Sequence, residues 1–149
     1  MLLEIRNNIS EVDRICTSIQ EFCTTHSISD SKCYDVTVII DELATNIINY
    51  AYTDGQEHVF IFSIELKPDQ KIYMQLIDDG VPFDPIKKSD PDTDLSLEDR
   101  PIGGLGIFFA KQLSESITYN RDDDKNMLTI IVSTKEEKPE ETEDSNKEE

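Results

Sequence analysis

Apolar residues in this chain recur at two spacings, and the change between them limits the fold more than any other feature. Val12, Ile15, Ile19 and Phe22 fall at helical intervals, as do Val36, Ile39, Ile40, Leu43, Ile47 and Tyr50. From residue 59 the pattern alternates instead. Residues 59–67 and 71–77 read as two strands joined by a Pro68-Asp69-Gln70 turn. Residues 2–6 form a short strand before the first helix. Ser10 stands as that helix's N-cap, with Asp13 three residues on, and the helix ends near Thr25. Asp30 caps the second helix, and Asp54-Gly55 turns the chain after it. A third amphipathic helix runs from Gly103 to about residue 115. Strands at 117–121 and 127–133 follow, around the polar turn 122–126. Helices with one apolar stripe and strands with one apolar face must cover each other. The pattern predicts an α+β two-layer sandwich, helices on one face of a mixed, mainly antiparallel sheet.

A chain of 149 residues suits one domain, here 1–134, followed by an acidic tail at 135–149 too polar to pack. The formal net charge is -18. The tail, with eight acidic and three basic residues, supplies -5 of it and leaves -13 on the domain. Such a surface repels phosphate backbones, which excludes nucleic acid as the expected partner. No apolar run is long enough for a bilayer and the N-terminus lacks a signal-peptide pattern, so a cytoplasmic protein without membrane attachment is expected. Cys16, Cys23 and Cys33 have no CxxC spacing. Cys16 and Cys23, seven apart on one helix, read as core packing in a reducing compartment. His26 and His58 share no ligand spacing, so a structural zinc site is not expected.

Chemistry is concentrated in three short segments. In Asp41-Glu42-Leu43-Ala44-Thr45-Asn46, the carboxylate of Glu42 and the amide of Asn46 are one helical turn apart on the same side. Four of the five glycines lie in Asp78-Asp79-Gly80 and Gly103-Gly104-Leu105-Gly106. A carboxylate–amide pair with a glycine turn opening a helix has the parts of a nucleotide-phosphate site. Taken singly, each segment has an ordinary reading too: a solvated helix face, a strand-ending turn, a loop-to-helix turn. Between the two glycine segments, residues 80–101 show little periodicity and hold four of the six prolines, the signature of a functional lid or of disorder.

In order and spacing these segments resemble the N, G1 and G2 boxes of the GHKL ATPase superfamily. The resemblance covers residues 2–134. Within it, the runs from Ile77 to Pro85 and from Arg100 to Ile107 are most similar to the small anti-sigma factor serine/threonine kinases. The resemblance implies a Bergerat-type sandwich that uses ATP and Mg²⁺, with an ATP lid at about 81–102. It makes Glu42 the general base and Asn46 the Mg²⁺ ligand, with Thr45 and Asn49 lining the same pocket. Asp78 would accept from the adenine amino group, and Gly80 would let the backbone approach the base. Gly103, Gly104, Leu105 and Gly106 would face the phosphates, and Thr129 the adenine. Arg100 would compensate charge on the γ-phosphate, or serve only as a lid surface residue. Against free ATP, so acidic a chain needs the cation and backbone N–H donors. One departure stands out: Pro82 occupies the place of a second glycine found in sensor-kinase domains and stiffens the start of the lid.

The function implied is an ATP-dependent protein kinase that holds a sigma factor. It would phosphorylate a STAS-type anti-anti-sigma protein on serine or threonine, as a homodimer like its homologues. Two alternatives are a non-catalytic ATP-regulated binding module and an orphan histidine-kinase-type catalytic domain. The second lacks any two-helix histidine-bearing segment in this sequence.

Overall fold

The alternating segments become one five-stranded sheet in the computed structural model, which describes residues 1–87 and 105–136. In chain order the elements are β1 (Leu2–Arg6), α1 (Glu11–Thr25), α2 (Asp30–Asn46), β2 (Val59–Leu66), β3 (Lys71–Asp78), α3 (Leu105–Leu113), β4 (Ser116–Asp122) and β5 (Lys125–Ser133). The strands lie in the order β1-β2-β3-β5-β4. All four pairings are antiparallel, as the mainly antiparallel expectation required. The chain leaves the sheet after β3, passes through α3 and returns at the far edge. β5 then folds back between β4 and β3. That return sets Asp78 opposite Asn126.

Strand parity decides what is inside. Phe60, Phe62 and Ile64 of β2, Ile72, Met74 and Leu76 of β3, and Ile130 and Val132 of β5 are buried on one face. They meet Ile15 and Ile19 of α1 and Val36, Ile39, Ile40 and Leu43 of α2 in one cluster. Truncating a core ring such as Phe62 to alanine costs about 3–5 kcal/mol in such a setting. Cys23 joins this core, while Cys16 and Cys33 are half-buried at its margin. Among the described residues no helix is long and apolar enough to cross a membrane.

Three local expectations need correction. Ser10 has helical backbone angles and caps nothing. Its N–H and hydroxyl both donate to Oδ1 of Asn8, at 3.0 and 2.9 Å, so Asn8 organises the turn leading into α1. Ser29, not Asp30, is the N-cap of α2: its backbone is extended and its hydroxyl accepts from the Lys32 N–H at 3.3 Å. Tyr50 is exposed rather than buried, because α2 passes into a π-turn at Ile47–Ala51. The extra residue per turn shifts the stripe by one position and buries Ala51 instead. The outer lid (88–102), Gly103, Gly104 and the tail from 137 lie outside the described residues.

Candidate functional site

The π-turn shapes a pocket between the end of α2 and the ends of β3 and β5. The pocket holds about 130 Å³, walled by Leu43, Ile47 and Ala51 on one side and by Leu76 and Leu128 on the other. Val81, Pro82, Phe83 and Pro85 close its rim, and Asn46 and Tyr50 stand at the helix side. The rim is stiff at its start. The Val81 N–H donates to the Ala51 carbonyl at 2.8 Å, the Ile86 N–H to Asp84 Oδ1 at 3.0 Å, and a short 3₁₀ turn spans Pro85–Lys87.

Asp78 is the polar centre of this pocket, with only 7% of its surface exposed. Its Oδ1 accepts from the Gly80 N–H at 2.9 Å and from Asn126 Nδ2 at 2.8 Å. Burial pushes its pKa above the ordinary aspartate value. The Asn126 and Gly80 bonds pull it back, the Asp79 charge adds to the rise, and Arg121 opposes it. A buried, ionisable carboxylate between apolar walls suits a flat heterocycle with an exocyclic donor. Gly80 follows Asp78 with no left-handed backbone angle. Its need for glycine is spatial: a Cβ there would lie 2.6 Å from the Ala51 Cβ and 2.8 Å from its carbonyl carbon. On the side where a Cβ would stand, the group that approaches Gly80 is thus the end of the π-turn.

The other end of the site lies where α2 meets α3. Glu42 is exposed on α2, and Gly106, in the first turn of α3, is buried against it. A Cβ on Gly106 would sit 2.6 Å from Glu42 Cδ and 2.9 Å from Glu42 Cβ, with Oε2 closer still. Gly106 therefore makes room for the Glu42 carboxylate, in addition to lying at a helix start suited to anions. Leu105 opens α3 half-buried. Neither Glu42 nor Asn46 makes a side-chain hydrogen bond to a described residue. Asn46 is half-buried at the last α-helical position, where its amide oxygen is a hard donor of the kind Mg²⁺ takes alongside water and phosphate oxygens. Thr45 is half-buried on α2, and Asn49 is exposed in the π-turn and does not line the pocket.

Thr129 is misplaced by the sequence expectation. Leu128 and Ile130 face the helices, so Thr129 points to the opposite side of the sheet, where its hydroxyl accepts from Gln75 Nε2 at 3.3 Å. The strand residue at the pocket is Asn126, read from the sequence only as part of a turn. It is buried, donates to Asp78 and to the Val81 carbonyl, and accepts from the Tyr119 hydroxyl and from Arg121. Arg121 also donates to the Gly80 carbonyl at 3.1 Å. Strand parity could have excluded Thr129; nothing local singles out Asn126. Arg100, Gly103 and Gly104 lie outside the described residues.

The family model for the histidine kinase-like ATPase domain matches residues 5–132. The serine/threonine-protein kinase BtrW of Bordetella bronchiseptica is 28% identical over 98 residues, 65% of this chain and 68% of that protein. Of solved structures, the RsbU and RsbW domains of Rv1364c from Mycobacterium tuberculosis align over 89% of this chain with a TM-score of 0.64 and 14% identity. This chain spans 32% of that one. A chain of the SiaB-SiaC complex from Pseudomonas aeruginosa aligns over 87% of this chain and 88% of its own, with a TM-score of 0.56 and 13% identity. At such identities the structural likeness speaks to the fold alone.

Proposed function

The chain belongs to the histidine kinase-like ATPase domain family, and from that premise we propose that it is an ATP-dependent protein serine/threonine kinase acting in sigma-factor partner switching. Its substrate would be a STAS-type anti-anti-sigma protein, and its second partner a sigma factor released or held according to that phosphorylation. The observation that carries the reading is one helix serving two ends of one site. The segment that walls the Asp78 pocket through Leu43 and Asn46 also bears Glu42, beside the start of α3. The similarity to the serine/threonine-protein kinase BtrW supports the kinase class.

In this reading adenine enters between Leu43, Ile47 and Leu128 and donates its amino group to Asp78. The phosphates extend along α2 toward residues 103–106, with residues 81–102 as lid and 135–149 as an acidic tail outside the domain. Asn46 would hold Mg²⁺, which would neutralise phosphate charge and orient the γ-phosphoryl group. Glu42 accepts the proton of the partner's serine or threonine hydroxyl as that oxygen bonds to the γ-phosphorus and the bond to ADP breaks. Arg100, from the lid, offsets charge on the transferring group.

The test is transfer from γ-labelled ATP to candidate STAS proteins by the full chain. Acid-stable phosphate on serine or threonine is the expected result. Tight ATP binding without transfer to any of them favours the binding-module reading, and acid-labile phosphate favours a histidine acceptor. A homodimer belongs to the same proposal. The sheet face opposite the helices sets Ile61, Ile77 and Met127 side by side, without charge among them, in a chain of net charge -18. Glu4 of β1 flanks Ile61 on that face, so the uncharged strip spans β2, β3 and β5, and two copies would meet along it. Sedimentation of the full chain should give a dimer, and Ile77→Glu a monomer.

A further inference from the structure

Asn126 sits where groups of fixed hydrogen-bond polarity converge. Arg121 can only donate, and its Nη1 lies 2.8 Å from Asn126 Oδ1. The Val81 carbonyl can only accept, and it lies 2.9 Å from Asn126 Nδ2. The amide orientation therefore follows from the chemistry of its neighbours. The Tyr119 hydroxyl adds a third restraint, donating to Oδ1 at 2.6 Å. Held this way, Nδ2 can only donate to Asp78 Oδ1, which also takes the Gly80 N–H. With two N–H donors aimed at it, Oδ1 has no place for a proton. Asp78 Oδ2 has no hydrogen bond to a described residue, and the side chain lines the pocket.

We propose that Asn126 is a positioning residue for base selection: it pins Oδ1 of Asp78 so that Oδ2 is presented to the pocket as an acceptor, which selects a 6-amino purine over a 6-oxo purine. The proposal rests on the reading of this pocket as the ATP site. A 6-oxo purine brings an acceptor to an acceptor, and only a protonated Oδ2 would welcome it. The charged and titratable groups around Asp78 work in both directions. Arg121 on β4 favours the ionised carboxylate and Asp79 opposes it. Tyr52, beyond the π-turn, stays neutral because burial, and then Asp78 and Asp79, push its pKa up. Burial favours the protonated acid most, and the directed bond from the Asn126 amide opposes it.

The experiment measures dissociation constants of the full chain with Mg²⁺ for ATP, inosine triphosphate and purine riboside triphosphate, which lacks the 6-amino group. Asn126→Leu should weaken ATP about tenfold, the scale of a lost bond to a charged group. Purine riboside triphosphate should change by less than about twofold, and the preference for ATP over inosine triphosphate should shrink. In an Asp78→Asn background the same substitution should add nothing. Equal weakening of ATP and purine riboside triphosphate would make Asn126 a structural brace only and overturn the proposal. Should Asn126→Leu fail to fold, Tyr119→Phe removes one restraint on the amide and should show the same base-selective loss at smaller size. An unchanged ratio of ATP to purine riboside triphosphate there overturns it equally. Failure of the wild-type chain to bind ATP would instead overturn the underlying reading of the pocket, and the proposal with it.

Discussion

The two ends of the site are built by opposite means. At the base end, Asp78, Asn126, Arg121 and Tyr119 brace one another through hydrogen bonds that span β3, β5 and β4. At the end proposed to be catalytic, Glu42 and Asn46 have no side-chain hydrogen bond to a described residue, and the Glu42 carboxylate lies in the space left by Gly106. In the proposed reading the base is the same in every turnover, so its recognition can be fixed in the sheet. Phosphates, cation and partner hydroxyl would arrive with the reaction, and the groups proposed to bond to them make no side-chain hydrogen bond to a described residue beforehand. The difference predicts that substitutions at one end change binding and stability, and those at the other change turnover.

The strongest way to break this contrast is Glu42→Ala. Phosphoryl transfer should fall roughly 10²–10⁴-fold, while ATP affinity stays within about twofold of wild type. Loss of affinity in step with rate would place Glu42 in binding. Two glycine substitutions then compare the ends with the same added methyl group. Gly80→Ala drives a Cβ into the Ala51 backbone and should destabilise the fold by about 1–3 kcal/mol, read as a lower thermal midpoint. Gly106→Ala meets mostly the Glu42 carboxylate, which can swing away, but also the Glu42 Cβ at 2.9 Å, which rides on the α2 backbone. A gain in helix propensity of about 1 kcal/mol offsets part of that crowding, so its thermal midpoint should fall less than that of Gly80→Ala while transfer falls because Glu42 is displaced.

The smallest effect is a pH dependence with two signs. Burial raises the folded pKa of Asp78, so the folded chain keeps a proton there that the unfolded chain has lost. The contribution of this group to stability is therefore present below about pH 4 and lost as pH rises through the folded value. Asp78→Asn, which keeps the acceptor for Asn126 and Gly80, should gain in thermal midpoint on wild type across that window. ATP affinity should run the other way in wild type, falling as pH drops through the same value, because only the carboxylate accepts the adenine amino group.

Much of this architecture could be read from residue order alone. The β-branched and aromatic run Val59–Ile64, with Phe60, Phe62 and Ile64 on one parity, placed β2, and the stripe from Val36 to Leu43 placed α2. What failed did so where two local solutions compete or where the partner is distant in sequence. Ser10 gives its N–H and hydroxyl to Asn8 instead of capping α1, and Ser29 rather than Asp30 takes the Lys32 N–H, because neighbouring polar side chains offer the chain-entry turns more than one bonding solution. Tyr50 departs from the expected stripe because periodicity assumes an uninterrupted α-helix, and the π-turn at Ile47–Ala51 adds a residue. Asn126 reads in the sequence as part of a polar turn but lies in β5, and its meaning comes only from pairing with Asp78, 48 residues away in the chain.

The claim that this pocket is an adenine site is tested most directly by calorimetric titration of the full chain with Mg²⁺-ATP and Mg²⁺-GTP, repeated on Asp78→Asn. The account predicts adenine-selective binding by wild type, and its loss in a variant that is folded and no less stable. Equal binding of both nucleotides, or undiminished ATP binding by Asp78→Asn, would contradict it.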